Sequence, residues 1–216
     1  MIHHRLLSAK HKGLRNAMSR LTFYAGSMNY RDPDQLYMLK MTGRDFGLIY
    51  NDMITYETEY IMKPLVARSS MAAEHAEIFA ESVSSIGTIT LNKLSEMNGL
   101  QNSAEEHEMY IELTQYHNVL LTQLHFKDIS LEMHIQHTFS PVEILEMRLD
   151  MLRRMTYPMS SLWMKYIVPA QNDLENIQLL SELRTVTSPE QFGGIMQMLQ
   201  GELFPQRYSA IVQRLK

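Results

Sequence analysis

Four side chains in this sequence are of the types that ligate a hard cation: the imidazoles of His11 and His75 and the carboxylates of Glu57 and Asp128. Imidazole with oxygen donors suits a hard or borderline metal better than a soft one. Glu57 is the most informative of the four. Steps of three and four residues outward from it meet Phe46, Tyr50, Met53, Tyr60 and Pro64, the spacing of a buried helical stripe. A carboxylate in such a stripe is costly unless something neutralises it. A histidine, a tyrosine hydroxyl, a cation or a bound proton would each serve. The other helices therefore have to supply Glu57 with a partner.

The elements that must position these groups can be read from caps and seams. Helix one is expected over about 5–25, with Leu7, His11, Leu14, Met18, Leu21 and Ala25 on one seam. Asp32 and Pro33 form a cap and first helical position for helix two, which runs to about 66 with Gly43 and Gly47 as weak points. Helix three, from about 70, carries His75, Phe79, Ser82, Ile86 and Ile89 on one face and stops at Asn98-Gly99. Helix four opens on a capping box of Ser103 and Glu106 and shows Leu113, Tyr116, Leu120, Leu124, Leu131 and Ile135. The fold class expected is all-α, an up-down-up-down four-helix bundle. His11 and His75 lie near helix starts, Glu57 and Asp128 near helix ends, so alternation puts all four in one layer. The bundle would occupy 1–138. Over 139–216 follows a C-terminal extension of short helices packed on it, with capping signals at Ser140-Pro141, at Asn172 or Asp173, and at Ser188-Pro189, and prolines at 158, 169 and 205.

Composition narrows the function classes. With 45% apolar and 20% charged residues in 216, the chain has the balance of a globular protein. A net charge of −4 gives no pull toward nucleic acid, and Arg153-Arg154 is too short for a phosphate-binding patch. No apolar run approaches the ~20 residues of a membrane span. Without cysteine there is no thiolate site and no disulfide, which fits a cytoplasmic location. The 18 methionines read as packing. No nucleotide loop or catalytic dyad is present, so the chain is not expected to be an enzyme. No protein partner is singled out, and a homo-oligomer is left open.

His11-Lys-Gly-Leu-Arg15, Glu57 with its neighbours, Glu74-His75 and the stretch 118–128 resemble the bacterial hemerythrin-like, or HHE cation-binding, proteins. Phe139-Ser-Pro-Val-Glu-Ile144, Trp163-Met164, Val168-Pro-Ala170 and Ser188-Pro-Glu-Gln-Phe192 extend the resemblance to the long form with C-terminal helices. It implies the four-helix bundle and a di-iron site between the helices. Carried over residue by residue, His11, Glu57, His75 and Asp128 match metal ligands. Met53, Phe79 and Gln123 stand where the family pattern has histidines. The resemblance thus implies a divergent member with an incomplete di-iron site, retaining a weak iron or other cation site. Two alternatives stay open: a metal-free scaffold or interaction protein with Met53, Phe79 and Met62 filling the layer, or a functional oxygen- or nitric-oxide-binding di-iron protein using His117, His125 or His134. The bland readings are a Glu57 hydrogen-bonded to Tyr50 or Tyr60, an Asp128 solvated beside Lys127, and His134 and His137 ending a wet helix.

Overall fold

In the computed structural model the description covers residues 5–68 and 73–215; the side chains of 73–82 and 84 lie outside it. The chain is all-helical, with no strand among the described residues. No described helix is long and apolar enough to cross a membrane.

Contacts group the chain into two compact units, Ala17–Thr138 on one hand and the stretch up to Asn16 together with the chain from Phe139 on the other. In the first unit, α1 (Ser8–Ser27), of which residues from Ala17 onward belong here, leads to α2 (Pro33–Tyr56). Asp32 caps α2 as expected, its carboxylate accepting from Asp34 N at 3.0 Å and Gln35 N at 3.2 Å. Gly43 and Gly47 do not interrupt it. A π-helical segment (Glu57–Met62) carries α2 directly into α3 (Lys63–Arg68). Next comes α4 (Ala73–Glu96), ending before Gly99, whose φ of +82° is open to glycine at little cost. A Cβ there would also press on the Tyr30 carbonyl oxygen at 3.2 Å. Helix α5 (Ser103–Phe126) continues through a second π-helical segment (Lys127–Leu131) into α6 (Glu132–Thr138).

Helix α4 packs against both α2 and α5. The later part of α1 reaches α5 through Thr22 and Gly26, and Leu21 reaches α2 beside Gly43. Rings from α2 and α5 interlock: Phe46 stands edge-on to Tyr116 with centroids 5.8 Å apart, and Tyr50 does the same at 6.4 Å.

The seams of α1 and α5 are buried as read from sequence. Three expectations need correcting. The cap of α5 is Asn102, with Glu105 closing the box, one residue earlier than Ser103 and Glu106, because the Asn102 amide oxygen reaches the backbone N–H groups of Ala104 and Glu105. On α4 the inward face is Val83, Gly87, Thr90 and Leu94, while Ile86 and Ile89 point outward. Size misled the reading: the large apolar residues were placed inside, but Gly87 faces inward because Tyr116 fills the space beside it. On the continuation of α2, Tyr60 and Pro64 leave the stripe and Ile61 and Leu65 enter it. The π turn inserts one extra residue and rotates everything after Glu57 by one position.

The second unit holds α7 (Pro141–Arg154), α8 (Tyr157–Ala170), α9 (Asp173–Val186), α10 (Pro189–Glu202) and α11 (Pro205–Arg214). Ser140, Asn172 and Ser188 make full capping boxes, with Glu143, Glu175 and Gln191 closing them. Pro169 lies inside the last turn of α8, which runs from Tyr157 to Ala170. The start of α1 belongs to this unit. Asn16 Nδ2 donates to the Tyr166 carbonyl at 2.8 Å, Lys12 pairs with Glu175 at 2.5 Å, and the buried Lys10 ammonium sits 4.7 Å from the centre of the Trp163 ring.

These packings predict opposite outcomes for two glycine-to-alanine changes. A Cβ at Gly87 would lie 2.5 Å from Tyr116 Cζ and closer still to its hydroxyl, and the buried ring cannot retreat. Gly87→Ala should cost roughly 1–3 kcal/mol by overpacking. Gly193 in α10 has nothing within 4 Å of an added Cβ. Gly193→Ala should gain roughly 0.5–1 kcal/mol, chiefly by restricting the unfolded chain. Urea denaturation of both variants checks the pair of signs.

Candidate functional site

Glu57 is 5% exposed, in the stripe where its spacing put it, and its neutralising partner is the ammonium of Lys127. Lys127 is 3% exposed, so neither charge is shared with bulk water. Each begins a π-helical segment. Lys63 N–H bonds back to the Thr58 carbonyl, and Glu132 N–H to the Lys127 carbonyl, both five residues behind. On α2 the segment follows Met53 and Glu57, one turn apart. On α5 it follows Tyr116, Gln123 and Lys127, which share a face at spacings of seven and four. Tyr50 meets Tyr116 and, further along both chains, Glu57 meets Lys127, so the two helices run in the same direction.

The surroundings are more polar than an ordinary core. The hydroxyls of Tyr50 and Tyr116 are neighbours but make no hydrogen bond of good geometry, and both amide atoms of Gln123 are buried without a partner. Burial, helped by the negative charge of Glu57, pushes the Tyr50 phenol well above its usual range. Burial, with Tyr50 adding to it, does the same for Tyr116. Both phenols stay protonated and available as donors at any physiological pH.

His117, an alternative ligand in the sequence reading, lies elsewhere on α5. Thr22 Oγ1 donates to the Met18 carbonyl at 2.8 Å, so its lone pairs face His117 Nδ1 at 3.2 Å. That assignment puts the imidazole proton on Nδ1 and leaves Nε2 buried without a partner. Burial lowers the His117 pKa.

The sequence-derived site residues are dispersed as follows. Glu57, Met53 and Gln123 are buried in the first unit, and Asp128, next to Lys127, is half-buried. His11 is fully buried but belongs to the unit that contains the C-terminal helices. His75 lies on α4, as does Phe79, but their side chains fall outside the described residues. His125 is exposed and His134 half-buried. The residue sequence reasoning missed is Lys127. Its signal was available: it stands four residues after Gln123 and four before Leu131, on the seam itself.

Compared with known protein families, characterised proteins and solved structures, the chain matches none of them.

The described donors do not fit a di-iron centre. Among the described residues no three His, Cys, Asp or Glu side chains group as a metal site. Glu57 holds an ammonium, and Met53 and Gln123, which the resemblance sets at histidine positions, offer a thioether and an amide instead. A dication 4 Å from an ammonium would meet a repulsion of roughly 8 kcal/mol at an effective dielectric of about 20.

Two outcomes follow. Lys127→Met removes the ammonium from a buried carboxylate and should cost about 3–5 kcal/mol, whereas Glu57→Leu combined with Lys127→Met should cost far less, since no charge is then left behind. Denaturant midpoints of the single and double variants test this. For His117, a folded pKa below the ordinary 6.5 means the unfolded chain takes up a proton first. The neutral ring's contribution is complete above that value and is lost as pH falls from there through the folded pKa. The urea midpoint of the natural protein should therefore drop more between about pH 7.5 and 5.5 than that of His117→Gln.

Proposed function

We propose that this chain is a hemerythrin-like four-helix bundle in which an internal ion pair stands in place of the metal layer, and that it works as a metal-independent helical scaffold or interaction protein. The observation that carries this reading is the buried ammonium of Lys127 against the carboxylate of Glu57. The ammonium neutralises the stripe carboxylate with no bound ion, and its positive charge opposes the arrival of one. The bundle itself is supported by the packing of α4 on α2 and α5, by the contacts of α1 with α2 and α5, and by the parallel course of α2 and α5. In an up-down-up-down arrangement the second and fourth helices are the parallel diagonal pair.

The test is metal content. Protein produced in iron-supplemented cells should be colourless, carry iron well below one atom per chain, and show no rise in melting temperature when ferrous iron is added, because a ligand selective for the folded state must raise it. A di-iron complement with an oxo-bridge absorption band, or a melting temperature that climbs with iron, would overturn the reading.

A further inference from the structure

A cleft of about 320 Å3 runs between α2 and α4 in the Ala17–Thr138 unit. Three independent features mark it. The first is charge. Lys40 and Arg44, one helical turn apart, line it, and among the described residues no acidic one does. Neither cation has an ion-pair partner among the described residues. The second is shape. Gly43, Gly47 and Gly87 face the cleft, although glycine inside a helix costs roughly 0.5–1 kcal/mol relative to alanine. Packing explains two of them: a Cβ at Gly43 would strike Leu94 Cδ2 at 2.7 Å, and one at Gly87 would strike Tyr116. It does not explain Gly47, where a Cβ would stand 3.4 Å from Leu91 Cδ1, in ordinary contact. What glycine does at 47 is leave the cleft open.

The third feature is an unpartnered buried donor. Tyr50 lines the cleft, is 5% exposed, and its hydroxyl has no hydrogen-bond partner. Tyr116, which does not itself line the cleft, has its hydroxyl behind the cleft residue Gly87, and the Tyr50 hydroxyl is its neighbour. Leaving a buried hydroxyl without a partner is costly, and an acceptor entering the cleft would relieve that cost.

We propose that this cleft binds a small organic anion, a carboxylate or phosphate monoester. The anionic group lies at Lys40 and Arg44, the apolar body crosses Gly47, and a second acceptor meets the Tyr50 hydroxyl. Arg44 and Tyr50 are six residues apart on α2, about 9 Å along the axis, which is the reach of a single-ring acid. Guanidinium and ammonium groups together hold such an anion by charge-assisted bonds, while the ring displaces water from the glycine floor.

The experiment uses the full chain labelled with 15N only at its 9 glycines, titrated with a phenyl phosphate and a benzoate that each carry a 4-nitro group as the second acceptor. Gly43, Gly47 and Gly87 should shift saturably and Gly193 and Gly201 should not. The double variant Lys40→Met, Arg44→Met should weaken binding at least about tenfold. Gly47→Leu, which fills the cleft, should abolish it while leaving the helical circular dichroism intact. Inorganic phosphate should bind more weakly than the phenyl phosphate, because it lacks the body that covers the floor. Absence of a saturable shift at the three glycines overturns the proposal. So does binding that survives Gly47→Leu, or equal affinity for inorganic phosphate and the phenyl phosphate, which would mean pairing with surface cations only. Should Gly47→Leu fail to fold, the double variant Lys40→Met, Arg44→Met and the inorganic phosphate comparison decide the matter alone.

Discussion

The pairing of Lys127 with Glu57 is the contact on which the interior of residues 17–138 depends, because it brings two full charges out of water in the middle of apolar seams. Each desolvation costs several kcal/mol, and only close approach returns it. The two π-helical segments hold the geometry. Each starts at one of the paired residues, and each replaces the usual four-residue step with one of five. A plain α-helix after Glu57 would carry Tyr60 and Pro64 inward. The wider turn instead brings in Ile61 and Leu65, so the apolar packing beyond the ion pair follows from the same local distortion.

The polarity around that pair bears on what the interior can do. Tyr50, Tyr116 and Gln123 add buried donors and acceptors without protein partners, and burial keeps both phenols protonated. Such an arrangement favours hydrogen bonding over metal ligation, since amide and phenol are weak ligands beside an ammonium. Tyr50 also lines the α2–α4 cleft, so this side chain belongs to both the core and a surface opening.

The unit containing the C-terminal helices is held differently. Helices α7, α9 and α10 begin at side-chain caps with proline or acidic residues in the first turn, each satisfying backbone N–H groups that would otherwise be unpaired. Its centre is Trp163, fully buried, with the Lys10 ammonium over the ring. A cation on an aromatic face keeps part of its electrostatic stabilisation after losing water. That contributes to how a buried lysine is accommodated there.

How much of this was legible depended on the range of the interaction. The sequence by itself determined most of the helix starts, because a cap and its box partner lie three residues apart and are set by local hydrogen bonds: Asp32, Ser140 and Ser188 cap as read, and of Asn172 and Asp173 it is Asn172 that caps. It also determined the seams of α1 and α5 and the burial of Glu57, since periodicity reports which face turns inward. Tertiary structure decided which side chain meets Glu57. Lys127 is 70 residues away, and a lysine in a seam reads as a surface charge until a buried acid is placed opposite it. It decided the rotation after Glu57 too, because a π turn is a response to packing and has no cap signal. And it decided the inward face of α4, where the space beside Gly87 is filled by a ring from α5. A residue's own size says nothing about the neighbour that will occupy its place.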